Sequence, residues 1–222
     1  MVLAEAMTAD PINPATFVDA VQPLLASRDL HGLCVLLKER WTPRQITDLL
    51  SCNECDVRKV AALALSLVGG RRCIAELARQ LRDTDPIVNQ MAEHALWSIW
   101  FRLGNPQANK ELMHGLQCLN RRAFDEAAEH FSEAITLDPA FAEAYNQRAI
   151  VHYLGERYGD SIRDCQKTVE LMPDHFGAWA GMGHCEAHLG HRDEAVAAYE
   201  RALAINPHMD CVKQTIAELK DA

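Results

Sequence analysis

Long apolar runs, an export signal and a dense set of cysteines are all missing from this 222-residue sequence. No uninterrupted apolar stretch approaches the roughly 20 residues that span a bilayer, so we expect no membrane-spanning helix and no membrane partner. The first residues, MVLAEAMTADPINPATF, lack a basic segment followed by an apolar one, which argues against a secretory signal. Eight cysteines are too dilute for a disulfide scaffold. The sequence therefore predicts a cytoplasmic protein with free thiols.

Excess positive charge is absent as well, since the formal net charge is −9. Residues 108–222 contain 11 Lys and Arg against 19 Asp and Glu, a balance of −8, whereas residues 1–107 contain 11 against 12. Nucleic-acid phosphates require a basic groove, so a nucleic-acid partner is disfavoured. The acidic half favours a neutral or basic protein partner.

Catalytic and cofactor-binding motifs are not evident in the sequence. Residues 181–183 form the main glycine cluster, but they lie within a predicted helix, so they do not form a dinucleotide-binding loop. His184 and His188 lie one helical turn apart, and Cys52 and Cys55 form a lone CxxC, whereas a structural zinc site usually needs four ligands. We expect no catalytic residue, no cofactor and no metal ligand. The sequence leaves open whether either pair binds a metal.

Three prolines mark an internal repeat, because Pro139, Pro173 and Pro207 are spaced by 34 residues each. Each proline closes a similar phrase: AAEHFSEAITLDP, SIRDCQKTVELMP and AVAAYERALAINP. Small residues such as Gly115 let two antiparallel helices approach closely, and large residues such as Phe131 fill the space between neighbouring repeats. One helix pair buries too little apolar surface alone, so the pairs are predicted to stack into a solenoid.

These phrases resemble the tetratricopeptide repeat family over residues 108–207. The third repeat carries the family pattern in Trp179, Gly183, Leu189, Gly190, Ala195, Tyr199, Ala202 and Pro207. The first repeat departs from it most, with Glu111 where an aromatic residue is usual and Cys118 where a tyrosine is usual. After Pro207, the segment HMDCVKQTIAELKDA has an apolar stripe and predicts a capping helix.

The N-terminal half has a different period. CDVRKVAALALSLVG and DPIVNQMAEHALWSI align Val57 with Val88 and Leu65 with Leu96, an offset of 31. These phrases resemble the short HEAT-like repeats of bacterial proteins and of bilin lyases. Three helix starts are predicted where an N-cap residue precedes a proline at the first helical position. These pairs are Asn13-Pro14, Thr42-Pro43 and Asp85-Pro86.

The fold class predicted from both halves is an all-α solenoid of about 13 helices. Its parts are an N-terminal extension (1–12), a HEAT-like domain (13–104), three tetratricopeptide repeats (108–207) and a C-terminal capping helix (208–222). Gly104, Asn105 and Pro106 end the last helix of the HEAT-like half, and no flexible Gly/Ser tract follows. We therefore expect one continuous solenoid.

The resemblance implies a peptide-binding groove lined by the first helix of each repeat. By alignment, its residues are Asn109, Leu112, Met113, Leu116, Glu143, Asn146, Gln147, Ile150, Ala180 and His184. Amide side chains such as Asn146 and Gln147 can donate to and accept from an extended peptide backbone. Leu112, Gly177 and Gly181 stand where chaperone-binding members use polar or basic residues to clamp a C-terminal carboxylate, so that clamp is not expected. The alternative is a groove filled by the protein's own helices.

The function predicted from these features is a scaffold or adaptor that binds a protein segment or peptide of unknown identity. Two alternatives remain open. One is an enzyme of the HEAT-like bilin lyase type, which rests on fold likeness alone. The other is nucleic-acid binding by the basic residues of the HEAT-like half, which are Arg58, Lys59, Arg71, Arg72, Arg79 and Arg82. The sequence also leaves self-association open.

Overall fold

The computed structural model describes residues 10–221, and every regular element in that range is helical. Thirteen α-helices follow one another in this range: α1 (Pro14–Ala26), α2 (Leu30–Arg40), α3 (Pro43–Asp48), α4 (Cys55–Val68), α5 (Ile74–Gln80), α6 (Pro86–Trp100), α7 (Pro106–Asn120), α8 (Phe124–Leu137), α9 (Ala142–Leu154), α10 (Tyr158–Leu171), α11 (Phe176–His188), α12 (Arg192–Ile205) and α13 (Asp210–Asp221). This confirms the predicted all-α fold. Residues 1–9 of the predicted N-terminal extension lie outside the described residues.

None of the helices between residues 10 and 221 combines the length and the apolar character needed to cross a bilayer.

The predicted helix starts are set by local side-chain hydrogen bonds. The Asn13 side chain accepts from the backbone N–H of Thr16, which begins α1 at Pro14. Thr42 and Gln45 form a reciprocal capping box at α3. The Asp85 carboxylate accepts from the N–H groups of the first turn of α6. These bonds satisfy donors that have no partner inside a helix, so all three predicted starts are confirmed.

The chain divides into two compact units between Ile99 and Trp100. In the first unit, α1, α2 and α3 each pack against α4. The side of α4 that faces them is apolar and buried, with Val57, Ala61 and Leu65 one turn apart. The core of the first unit therefore centres on α4.

In the second unit, helices adjacent in sequence are adjacent in space, from α7 to α13. The pairs α7–α8, α9–α10 and α11–α12 correspond to the three 34-residue repeats. The last helix, α13, packs on α12 through Val212 and Ile216 and leaves its other residues largely exposed. The predicted stack of helix pairs with a terminal capping helix is therefore observed in this unit.

A glycine in the first helix and a ring in the second hold two of these pairs together. A Cβ on Gly115 would lie 2.5 Å from the ring of Phe131, and a Cβ on Gly183 would lie 2.5 Å from the ring of Tyr199. Phe131 also shares an apolar cluster with Phe141 and with residues of α9. The ring thus fills the space within its own pair and contributes to the contact with the next pair.

Candidate functional site

The ten residues predicted for the groove lie on α7, α9 and α11, the first helices of the three pairs. Helix α9 contacts both α7 and α11, so the three helices lie side by side. We call this shared surface the first-helix face. Its residues are Asn109, Leu112, Met113, Leu116, Glu143, Asn146, Gln147, Ile150, Ala180 and His184. Their burial divides the face into a closed part and an open part.

The closed part is organised around the carboxylate of Glu143, which is fully buried. Asn146 Nδ2 donates to Glu143 Oε1 at 3.1 Å, and Gln147 Nε2 donates to the same oxygen at 2.6 Å. His175 Nε2 lies 2.9 Å from the other oxygen. Three donors therefore compensate for the desolvation of this carboxylate. The two amides predicted to contact a peptide are directed at Glu143.

The hydrogen bonds of His175 assign its tautomer. Its Nδ1 accepts from the backbone N–H of Ala178 at 3.0 Å, so Nδ1 carries no proton. The proton is then on Nε2, which donates to Glu143. His175 also caps the N-terminus of α11 through this bond from Ala178. One imidazole therefore joins a helix start to the buried carboxylate.

Trp100 covers one face of the His175 imidazole. The indole stacks on the His175 ring with 4.2 Å between centroids and 20° between planes, and it also contacts the ring of Phe176. Trp100 is only 1% exposed. The ring stack and the Glu143 network together bury this part of the first-helix face, so it has little surface left for a ligand.

The open part presents apolar side chains to solvent. Met113 on α7 is 52% exposed, and Ile150 and Leu154 on α9 are 39% and 48% exposed. His184 on α11 is also exposed. Large apolar side chains at this exposure bury further surface only when another molecule covers them. This part can therefore accept apolar side chains of a partner.

Aromatic rings and imidazoles border the open part. The Tyr153 hydroxyl lies 2.9 Å from His188 Nε2, and Tyr158 stacks on His188 with 4.9 Å between centroids. His184 Nδ1 lies 2.7 Å from the hydroxyl of Tyr199. Burial of one side of the His184 ring, reinforced by the charge of His188, lowers the pKa of His184, and burial raises the pKa of Tyr199 to about 12. Both groups are therefore neutral hydrogen-bonding groups near pH 7.

The other groove residues mainly contribute to packing. Leu112 and Ala180 are buried, and Leu116 packs on the apolar cluster of the first pair. Asn109 Nδ2 donates to the backbone carbonyl of Gly104, which orients the segment entering α7. The structure therefore leaves Met113, Ile150 and His184 as the exposed members of the predicted set.

Sequence reasoning missed Trp100, His175 and Leu154 as determinants of this face. The 34-residue register contains a signal for His175, because the equivalent residue of the preceding repeat is Phe141, which is 1% exposed. A buried position was therefore predictable there. No local pattern indicates that the imidazole pairs with Glu143, 32 residues earlier.

In the first unit, carboxylates neutralise several of the basic residues considered for nucleic-acid binding. Arg58 makes two hydrogen bonds to Asp83, at 2.6 and 2.8 Å. Lys59 lies 2.8 Å from Asp85 and also pairs with Asp56. Arg79 pairs with Glu76. These ion pairs reduce the positive potential available to a phosphate backbone, so the arrangement does not favour nucleic-acid binding.

The first unit also contains a surface pocket of about 660 Å³. It is lined by Thr42, Pro43, Arg44, Thr47, Asp48, Val68, Gly70, Arg71, Arg72 and Cys73. Within residues 10–221, neither the Cys52–Cys55 pair nor the His184–His188 pair is joined by a third potential metal ligand. All eight cysteines are free thiols.

Comparison with known proteins matches residues 176–209 to the tetratricopeptide repeat family. An Hsp70-Hsp90 organizing protein of Triticum aestivum is 40% identical over 99 residues, covering 45% of this chain and 17% of the wheat protein. A TPR repeat-containing protein of Rhizobium etli is 27% identical over 126 residues, covering 57% of this chain and 62% of the bacterial protein. The chain thus spans less than two thirds of the length of either relative. Neither relative bears the name of an enzyme.

Among solved structures, the first TPR of Spaghetti (RPAP3) bound to the HSP90 peptide SRMEEVD is similar to this chain, with a TM-score of 0.51 and 20% identity. The match covers 52% of this chain and 91% of that one. At this identity the likeness shows the fold alone. Tetratricopeptide repeats are therefore present, as the 34-residue period predicted, whereas the HEAT-like resemblance of the N-terminal half stays a prediction.

Proposed function

We propose that this protein is an interaction adaptor whose second unit binds an extended segment of another protein on the open part of the first-helix face. The observation that carries this proposal is the exposure of Met113 on α7, of Ile150 and Leu154 on α9 and of His184 on α11. Apolar anchors next to hydrogen-bonding rings suit a peptide that offers both side chains and backbone amides. The name of the wheat relative, an Hsp70-Hsp90 organizing protein, supports a role in protein assembly.

The preferred segment is neutral or basic and carries apolar side chains. Residues 108–222 have a charge balance of −8, which disfavours an acidic peptide such as SRMEEVD. Leu112 is fully buried, and glycines occupy positions 177 and 181, where chaperone-binding members place polar or basic residues. The likeness to the SRMEEVD-bound structure thus extends to the fold, and the residues at these three positions do not suit a charged clamp.

The proposal also covers the domain organisation of the chain and the cellular compartment in which it acts. We infer a HEAT-like helical domain over residues 13–104, three tetratricopeptide repeats over 108–207 and a capping helix over 208–222. Eight free thiols support a reducing compartment such as the cytoplasm. No enzymatic activity is part of this proposal.

The test compares capture by the full-length protein with capture by Ile150→Glu. Immobilised protein is incubated with native cell extract, and the recovered proteins are quantified by mass spectrometry. A charge at Ile150 opposes burial of the anchor against a partner, so recovery of the partner should fall roughly tenfold, as for loss of one interface hot spot. An excess of SRMEEVD peptide should leave recovery of the partner unchanged.

The matched control is Leu137→Glu, because Leu137 is as exposed as Ile150 (39%) but lies at the end of α8, away from the first-helix face. Recovery by this control should equal that of the unmodified protein. Equal recovery by the Ile150 and Leu137 variants would contradict the proposed face. Displacement of the partner by SRMEEVD would contradict the proposed preference for neutral or basic segments.

A further inference from the structure

Three metal-ligating side chains meet between α7 and α8. Glu111 and His114 lie one turn apart on α7, and His130 lies on α8. His130 Nδ1 is 2.8 Å from Glu111 Oε2, and His114 Nδ1 is 3.7 Å from Glu111 Oε1. One donor atom from each residue lies within 4.8 Å of the other two. Between residues 10 and 221, this is the one such group of three His, Cys, Asp or Glu residues.

The close packing of α7 on α8 brings these residues to the same level. His114 precedes Gly115, and His130 precedes Phe131, whose ring lies directly over that glycine. The absence of a side chain at Gly115 lets the two helices approach closely. Each imidazole is one residue from this contact, so the two rings lie side by side with 5.4 Å between centroids. The cluster is thus held on two rigid helices.

The donor set and its spacing suit a zinc-like ion. Zinc binds imidazole nitrogen and carboxylate oxygen at about 2.0–2.2 Å, and tetrahedral geometry then separates neighbouring ligand atoms by roughly 3.3–3.5 Å. The two histidines approach different oxygens of Glu111, at 2.8 and 3.7 Å, and one ligand atom from each of the three residues lies within 4.8 Å of the other two. Closing the site around an ion therefore requires rotation of these side chains towards one another.

The charge and exposure of the cluster also fit a metal site. The Glu111 carboxylate supplies an anionic oxygen ligand, and His114 and His130 each supply a ring nitrogen. The side chains of Glu111, His114 and His130 are 22%, 40% and 36% exposed, which leaves one side accessible to solvent. Three protein ligands with an open fourth position are a common zinc arrangement.

We propose that Glu111, His114 and His130 bind a divalent transition-metal ion such as Zn²⁺, with water as the fourth ligand. Each bound imidazole is neutral: the ion takes the place of the proton between His130 Nδ1 and Glu111, and the His130 ring then carries its one proton on Nε2. The ion joins the two helices of the first repeat, where Glu111 replaces the usual aromatic residue. This proposal is independent of peptide binding on the first-helix face.

The test is a titration of the full-length, reduced protein with Zn²⁺ alone. Binding is measured by isothermal titration calorimetry, and the melting temperature is measured with and without Zn²⁺. We expect one ion per chain at this site and a higher melting temperature with Zn²⁺, because the ion binds only the folded arrangement. His130→Ala and Glu111→Gln should each weaken this binding at least tenfold. Circular dichroism checks that both variants retain their helical content, and His114→Ala supplies a third variant.

Two controls separate this site from incidental binding. His191→Ala removes another surface imidazole, which lies 2.8 Å from Glu186 but in no group of three ligands among the described residues. Cys52→Ser with Cys55→Ser removes the CxxC thiols. Zn²⁺ affinity should be unchanged in both controls. Affinity retained by His130→Ala, or lost in the cysteine variant, would overturn the proposal.

Discussion

At the scale of single residues, one buried carboxylate organises a large part of the second unit. Glu143 has no exposed surface, and each of its three bonded partners is a donor. His175 is fixed in one tautomer because Ala178 donates to its other nitrogen. A buried network of this kind is stable only when every member is satisfied. We therefore expect it to tolerate little change in hydrogen-bonding character.

Glu143→Gln should lower the free energy of unfolding by about 2–3 kcal/mol, the usual range for bonds to a buried charged group. The NH₂ group of the new amide would face either the donor Nε2 of His175 or the donor amides of Asn146 and Gln147. The His175 tautomer cannot reverse, because a proton on Nδ1 would oppose the N–H of Ala178. Urea unfolding measures the change. Glu186→Gln, in a more exposed His–Glu pair, should cost less than about 1 kcal/mol. Similar losses in both variants would contradict this account.

The glycine at the centre of the first pair is a second sensitive residue. Gly115→Ala should lower the free energy of unfolding by about 1–3 kcal/mol, because its Cβ would lie 2.5 Å from the Phe131 ring. Gly159→Ala is the matched change in α10, where a Cβ would have no neighbour within 4 Å. It should raise the free energy of unfolding, by up to about 1 kcal/mol. Thermal unfolding of both variants tests whether the two substitutions change stability in opposite directions.

At the scale of secondary-structure elements, charge pairs tie the turn between α5 and α6 to α4. Asp83 and Asp85 lie in this turn and pair with Arg58 and Lys59 of α4. The hydrogen bond from Lys59 lowers the pKa of Asp85 from its usual 3.8 to about 2. Asp85 also caps α6. Its ionised form therefore stabilises both the start of α6 and the contact of the turn with α4.

The stabilising effect of Asp85 should depend on pH in a defined window. Its pKa is lower in the folded chain, so its contribution is fully present above about pH 4 and is lost as the pH falls towards about 2. Asp85→Asn keeps an N-cap side chain but removes the charge. The variant should be less stable than the unmodified protein at pH 7, and the difference should shrink between pH 4 and pH 2. A difference that stays constant in urea titrations across this window would refute the role of the charge.

At the scale of the whole molecule, Trp100 is the first residue of the second unit and makes its ring contacts with His175 and Phe176. Three segments far apart in sequence therefore share one buried cluster, formed by Trp100, Glu143 and the start of α11. Stacked repeats otherwise depend on contacts between neighbours. The contact of Trp100 with His175 and Phe176 joins residues about 75 positions apart, in addition to the contacts between neighbouring helix pairs.

Trp100→Ala should lower the free energy of unfolding by about 3–5 kcal/mol, because truncation of a buried indole leaves a cavity beside His175. Hydrogen exchange read by mass spectrometry should show the largest loss of protection in α9 and α11 and a smaller loss in α4. Equal loss in α4 and α11 would contradict the assignment of Trp100 to the second unit.

Local signals in the sequence were sufficient for the elements and for the way the second unit stacks. Pro139, Pro173 and Pro207 recur every 34 residues, with glycines and rings in register. This pattern specifies helix pairs because each proline ends a helix locally and each glycine–ring contact joins two adjacent helices. The N-cap pairs at α1, α3 and α6 were predictable for the same reason, since capping involves residues only two or three positions apart.

Tertiary structure alone decided which residues of the first-helix face are available to a partner. Alignment predicts that Glu143 and Ile150 both line the groove. In the structure Glu143 is buried and bonded to His175, whereas Ile150 is 39% exposed. The grouping of Glu111, His114 and His130 likewise depends on how closely α7 approaches α8. Side-chain pairing across helices depends on rotamers and on packing between distant segments, and a repeat period carries no information about either.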